Sequence, residues 1–314
     1  MLANILQLTR RPRRTYRLIG RKASVKLVTY SVDGASRLGI VSGDGIVDVS
    51  RHVQGAPTDM IELISHWTEW GPKLQAAASR PADLALAAAK LQAPVRAPRK
   101  VLAIGLNYAD HCRESGLEIP KDQVWFSKAV TSVNGPFDPI ELPAASSHLD
   151  HECEMVTVIG KRCRNVPRER AREVVFGYCV GNDVSVRDWQ LRTTQWVIGK
   201  SFDTHGPIGP WITTADGVPD PHTLGIRCLV NGEERQKSNT KHLVFDVYAQ
   251  IEYLSKAVTL EPGDLIFTGT CGGVGVAYKP PRWLKEGDAV RVEIDTLGAI
   301  ENRVEKGPSA VHIE

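Results

Sequence analysis

The sequence predicts an α+β chain with a β-rich core rather than a doubly wound α/β sheet. Three observations carry this. From residue 100 onward the apolar runs KVLAIGL, EMVTVIGK, FGYCVGNDVSV, GIRCLVNGEE, DLIFTGT and AVRVEID follow one another with frequent Gly and Pro. Helical signals over that stretch are few: a short segment opened by Pro167 and running to Val175, and a longer one over residues 245–256. Upstream, KLVTYS, RLGIVS and GIVDVS are separated by turn signals at Asp33-Gly34 and Gly43-Asp44-Gly45, the pattern of a small antiparallel meander.

The elements follow in order. After the meander, Thr58 can cap a helix whose apolar positions Met60, Leu63, Ile64 and Trp67 fall at helical spacing, ended by Gly71-Pro72. An Ala-rich stretch over 82–92 reads as helix. The segment APVRAPR, 93–99, holds two prolines and is the candidate boundary. The chain thus divides into a basic arm over 1–25, a small α+β N-terminal domain over 26–95, and a larger domain over 98–314. Pro262-Gly263-Asp264 and Glu286-Gly287-Asp288 each feed an apolar strand and read as turn chemistry, not as a repeat.

Composition sets limits. The 314 residues are 42% hydrophobic and 24% charged, an ordinary globular balance, and a net charge of +3 argues for neither a nucleic-acid nor a membrane partner. No apolar run reaches membrane-spanning length. Six cysteines without a CxxC pair argue against a zinc ribbon or disulfide framework and suit a reducing compartment, so the expected location is cytoplasmic. The first 26 residues carry eight Lys or Arg and no acid; this fits a mitochondrial-type presequence or a plain basic arm, and the arm is the simpler reading.

Four constellations can carry chemistry. In LDHECEMVTVIGK, Glu152 and Glu154 share one strand face with Val156 and Val158, while Met155, Thr157 and Ile159 line the other. A strand apolar on both faces is covered on both sides. Two carboxylates there are either solvated at an exposed strand end or held by a divalent cation. Asp183, inside the apolar run GYCVGNDVSV, adds a third acid. An all-oxygen set suits Mg²⁺ or Mn²⁺ rather than zinc.

In GLNYADHCRESG, Asn107 can cap and Gly116 can end a short helix that places His111 and Glu114 at i and i+3. That pair is either a general base with its orienting carboxylate or a surface pair. Its short helix, with little apolar face, would make a movable lid. Lys200, between an apolar run and a Gly/Pro-rich loop, can offer a cation to an oxyanion or snorkel at the surface; Arg187 and Gln190 are polar groups within reach of Asp183. The glycine-rich TGTCGGVG, 268–275, can form a backbone nest for a carboxylate or enolate oxygen, or be a tight loop.

Taken together, NYADHCRE, DHECEMVTVIGKRCR, NDVSVRDWQ, GKSFDTHGPIGP, TGTCGGVG and PPRWLKEGD resemble the fumarylacetoacetate hydrolase superfamily, in the family's order, over about residues 100–305. The resemblance implies a rolled, mixed-sheet catalytic domain, usually a homodimer. It implies that Glu152, Glu154 and Asp183 bind Mg²⁺ or Mn²⁺, and that His111 and Glu114 activate water on a lid. It also implies that Lys200 and Thr270 contact substrate oxygens, with Arg187 and Gln190 nearby. The expected reaction is hydrolysis of a C–C bond in a 2,4-diketo acid, giving pyruvate and a second acid. Decarboxylation of oxaloacetate-like acids or isomerisation of unsaturated 2-keto acids is the alternative. Three positions depart from the pattern or vary within it: Cys271, where many relatives carry proline; His205; and His151, read as packing rather than ligand.

Overall fold

The computed structural model describes residues 24–311 and 313, so nearly all of the basic arm over 1–25 lies outside the described residues. Two sheets dominate. The larger runs in the order Leu84–Ala85, Gly45–Asp48, Ala35–Ser42, Lys26–Val32, Gly206–Thr214, Val175–Asn182, Cys153–Ile159, Leu265–Phe267, Val101–Gly105, Val124–Lys128. It is mixed, since Leu265–Phe267 runs parallel to Val101–Gly105 while most other pairs are antiparallel. The smaller sheet orders Glu233–Asn239, Gly225–Val230, Ala289–Ile294, Gly298–Lys306 and Ile140–Leu142.

Strand Cys153–Ile159 explains how the core is layered. All seven residues are buried. Cys153, Met155 and Ile159 pack with Ile226, Val290 and Val292 of the smaller sheet, whereas Val156 and Val158 pack with Leu63 and Leu74 on the helical side. The two-faced apolar pattern was therefore a sound guide to a doubly covered strand.

The meander is as expected, and it does not stand apart. Lys26–Val32 pairs with Gly206–Thr214, so the N-terminal strands extend the larger sheet. The segment 93–99 is packed rather than slack: Ala93 and Val95 are buried, and the Thr29 hydroxyl donates to the Pro94 carbonyl at 2.8 Å.

Three expectations for this region are corrected. Asp59, not Thr58, caps helix Met60–Ser65, accepting from the Ile61 and Glu62 N–H groups. The helical run does not stop at Gly71-Pro72. It breaks at His66 and resumes as Trp67–Ala77, in which Gly71 admits the Trp67 ring that any Cβ would strike at 2.8 Å. The Ala-rich stretch 82–92 is strand Leu84–Ala85, a 3₁₀ turn and strand Lys90–Gln92, because Lys90–Gln92 finds a partner in Lys26–Val32. Sheet pairing overrides alanine's helical preference here. Farther along, Arg168–Val174 is 3₁₀ rather than α, and Val247–Ala257 is the longer helix, capped by Asp246.

Asp48 ties the meander together. Its carboxylate accepts from Tyr30 Oη at 2.8 Å, Arg37 Nη1 at 3.0 Å and the Ser50 N–H at 2.8 Å. Burial would raise its pKa, but these donors outweigh it and bring it to about 2. A depressed carboxyl stabilises the fold above its unfolded value of 3.8 and loses that contribution as pH falls through about 2. Asp48→Asn is expected to flatten the stability profile between these pH values and to cost about 1 kcal/mol at neutral pH, screening included. Urea unfolding at a series of pH values reads this.

Candidate active site

The site begins with strand register. Cys153–Ile159 pairs with Val175–Asn182 so that Cys153 faces Asn182 and Glu154 faces Gly181. The start of one strand thus lies beside the end of the other. Just beyond them the Asp183 N–H donates to the Glu152 carbonyl at 2.9 Å, and the Asn182 side chain accepts from the Glu152 N–H at 2.9 Å. Glu152, Glu154 and Asp183 are buried, and each offers an oxygen within 4.8 Å of the others.

Three cations enter the same volume. Lys200 Nζ bonds Glu152 at 2.7 Å and Asp183 at 2.9 Å. Lys128 Nζ takes the other Asp183 oxygen at 2.6 Å and also donates to the Lys200 carbonyl. Arg187 bonds Asp150 at 2.8 Å and Glu152 at 2.7 Å. Glu154 has no such partner among the described residues; one of its oxygens accepts from the Gly269 N–H at 2.7 Å.

The electrostatics follow from that imbalance. Burial alone would raise Glu152, but Lys200 and Arg187 overcome it and hold the group at about 2. Burial raises Glu154 well above the ordinary carboxylate range, and the charges on Asp183 and Glu152 add to it. Burial lowers Lys128 against the pull of Asp183; burial also acts on Lys200, yet Asp183 and Glu152 outweigh it and raise that group. A divalent cation fits here. It would supply the positive charge that Glu154 lacks, and each carboxylate oxygen keeps a lone pair beyond its ion pair. The all-oxygen donors suit Mg²⁺ or Mn²⁺.

The second element is helix Ala109–Glu114. His111 Nδ1 lies 2.8 Å from Glu114 Oε1. With Glu114 ionised, Nδ1 carries the proton and Nε2 is left as the base. The helix has core contacts that its sequence did not suggest: Cys112 and its N-cap Tyr108 are buried, and Cys112 Sγ donates to the Leu106 carbonyl. Asn107 does not cap it. Tyr108 holds the N-cap without a side-chain bond, while Asn107 reaches away to the Phe245 and Thr268 carbonyls at 3.0 and 2.7 Å. Gly116 does take the left-handed conformation, φ +68°, just past the helix end.

The glycine-rich loop is a nest, and its guests are the protein's own carboxylates. The Gly269 N–H donates to Glu154, the Gly273 N–H to Glu114 at 2.7 Å, and the Gly275 and Val276 N–H groups to Asp150 at 2.7 and 3.0 Å. Those donors are therefore not open to a substrate anion. The loop also has Cys271 buried, with its Sγ 3.9 Å from that of Cys153, so the cysteine is a packing residue in the reduced state.

A cavity of about 450 Å³, within the roughly 300–1,000 Å³ usual for small-molecule sites, gathers His111, Glu114, Glu152, Arg187, Gln190, Lys200 and Thr270 on its lining. Glu154 and Asp183 are not on that lining. Arg187 Nη2 is buried without a partner, and Gln190 accepts from Arg187 Nη1 at 2.8 Å. The Thr270 hydroxyl donates to the Cys153 carbonyl at 2.9 Å, so its proton is not available to a substrate oxygen. His205 is buried, with Nε2 2.8 Å from the Glu141 carbonyl, and does not line the cavity. His151 is buried against Gln236 and is no ligand candidate.

Sequence reasoning missed Lys128 and Gln236, and it noted the spacing of Asp150 without giving that residue a role. Lys128 sits in WFSKAV, where a lone lysine reads as a surface group. Asp150 precedes the glutamates at the same alternate spacing, but that spacing does not tell that it would pair with Arg187. Gln236 Nε2 donates to Thr270 and to the Cys271 carbonyl while Oε1 accepts from the Cys153 N–H, pinning loop to strand.

A profile described as the fumarylacetoacetate (FAA) hydrolase C-terminal domain matches residues 100–305. The chain belongs to the fumarylacetoacetate hydrolase superfamily. Within it, a mitochondrial oxaloacetate tautomerase of Xenopus laevis is 44% identical over 292 residues, 90% of each chain. The crystal structure of maleylpyruvate hydrolase from Sphingobium sp. SYK-6, with manganese(II) and pyruvate, is 38% identical with a TM-score of 0.77, covering 90% of this chain and 100% of that one. A 5-carboxymethyl-2-hydroxymuconate delta-isomerase from Mycobacterium smegmatis is 34% identical with a TM-score of 0.72, over the same shares. The superfamily's α+β fold is thus present, and so is an enzyme.

Proposed function

We propose that this superfamily member is a Mg²⁺- or Mn²⁺-dependent enzyme that works through the enol of a 2-keto acid, and that with a 2,4-diketo acid it hydrolyses the C3–C4 bond to pyruvate and a carboxylic acid. One observation carries the reading: the His111–Glu114 dyad opens on the same cavity as Glu152, Lys200 and Arg187.

The chain's own groups divide the work. Arg187 lines the cavity and keeps Nη2 without a partner, so a small shift of its guanidinium would offer that N–H to the substrate carboxylate. Lys200, held cationic by Asp183 and Glu152, stabilises negative charge on a substrate oxygen. His111 Nε2 moves the proton, taking it from water for attack on the 4-carbonyl or exchanging it at C3, while Glu114 steadies the imidazolium. A bound divalent ion would add Lewis-acid stabilisation of the 2-keto oxygen. The manganese and pyruvate bound in the maleylpyruvate hydrolase support this reading.

A second reading, keto–enol tautomerisation of oxaloacetate, has support in the 44% identity to a tautomerase. It uses the same proton transfer without the water attack. That relative's mitochondrial name also weighs against a cytoplasmic location.

The ultraviolet enol band separates the readings. Acylpyruvates and oxaloacetate are each followed with Mg²⁺, with Mn²⁺ and with chelator, and pyruvate is assayed in parallel. Chelator-sensitive band loss with stoichiometric pyruvate from acylpyruvates is expected. Band loss without cleavage would leave the tautomerase, and turnover that survives both chelator and Glu152→Gln with Glu154→Gln would remove the site.

A further inference from the structure

Beyond the dyad, one wall of the cavity is built from aromatic and aliphatic groups. Trp196 sits one turn before Lys200, whose N–H donates to the Trp196 carbonyl at 3.2 Å. Its indole lies on Gly105, where a Cβ would meet the ring at 2.2 Å. Phe126, on the strand paired with that of Gly105, meets it edge-on at 5.7 Å between centroids, and Lys200 Nζ lies 5.1 Å from the Phe126 ring. The absent side chain at position 105 is thus what lets the indole close the wall.

Leu117 and Leu191 complete this lining, and they are 50% and 65% exposed. Two large apolar side chains left in water beside a reaction cavity are surface that a ligand can cover with gain. Cations on the lining tell the same story from the other side. Arg187 and Lys200 are already bonded to buried acids, which leaves Lys279 as the lining lysine or arginine outside those ion pairs among the described residues. A second carboxylate laid on the Trp196–Phe126 wall would exchange water for aromatic carbon, with Lys279 the lining cation left to meet it.

We infer that the substrate carries an apolar tail, branched alkyl or aryl, beyond its reacting carbonyl, and that Trp196 is the residue that selects it. This rests on the 2-keto acid reading above. It predicts that a short dicarboxylate binds less well than a 2-keto acid with such a tail. Phe126 backs the indole, and Gly105 fixes where it lies.

The test uses the full chain loaded with Mn²⁺ and two uncleavable 2-keto acids with the same head group, 4-phenyl-2-oxobutanoate and 2-oxoglutarate, titrated by calorimetry. The phenyl acid is expected to bind about tenfold tighter. Trp196→Ala should remove about that factor for the phenyl acid and move 2-oxoglutarate by less than about twofold, with Trp196→Phe recovering part of the loss. Gly105→Ala, which dislodges the indole without deleting it, should give the same selective loss. Tighter or equal binding of 2-oxoglutarate overturns the inference. So does equal weakening of both acids by Trp196→Ala, or no binding of either. A phenyl preference that persists while no acylpyruvate is turned over would uphold the tail and remove the reaction instead. Metal-dependent cleavage together with a preference for the dicarboxylate would do the reverse.

Discussion

Asp183→Ala is expected to unfold the protein more readily and to abolish tight divalent-cation binding together. Asp183 is fully buried and splits its two oxygens between Lys128 and Lys200, themselves at most 2% exposed in their side chains. Removing the acid strands two ammonium groups in the core. Loss of one partner from a buried pair costs about 3–5 kcal/mol, far above the value of a surface pair. Glu152 still serves Lys200, so the larger share of the loss falls on Lys128, for which the remaining acceptors are the Val184 and Lys200 carbonyls. Urea unfolding in chelator measures the first effect and calorimetric Mn²⁺ titration the second. Asp183→Asn with Lys128→Met should recover much of the stability and none of the metal affinity. If Asp183→Ala unfolds like the parent, the buried ion-pair network is wrongly drawn.

His111→Ala is expected to leave that network alone and remove the chemistry. His111 and Glu114 bond to each other, and Glu114 bonds the Gly273 N–H; neither has a bond to Glu152, Glu154 or Asp183. Loss of a positioned general base costs about 10²–10⁴ in kcat. Mn²⁺ affinity and unfolding midpoint should stay at the parent's values. Glu114→Gln should fall between, because an amide can still accept from Nδ1 but cannot balance an imidazolium. Loss of Mn²⁺ binding in His111→Ala would move this residue from proton transfer to metal ligation.

What could be read from residues alone divides along one physical line. Strands were legible because side-chain alternation is local, and Glu152, Glu154 and Asp183 stood out because acids in apolar runs contradict their surroundings. The His111–Glu114 pair was legible because helical spacing brings i and i+3 together. Lys128 was not, since whether a lysine in a half-apolar strand faces water is decided by what packs on it. The Ala-rich stretch over 82–92 was misread for the same reason: its neighbour Lys26–Val32 is distant in sequence. The glycines of 268–275 announced a nest, but which anions fill it depended on three carboxylates from two other segments, Glu114 from one and Asp150 and Glu154 from the other.

That nest has a thermodynamic consequence. Glu114 on the dyad helix, Glu154 in the buried acidic triad and Asp150 behind Arg187 are held by amides within a few residues of one another. Lifting the loop would leave all three carboxylates short of donors at once, so partial opening has little to gain over complete opening. The loop behaves as a keystone. Glu114, Glu154 and Asp150 are then expected to share one local unfolding event, which would make the assembled site close to a two-state object within a larger fold.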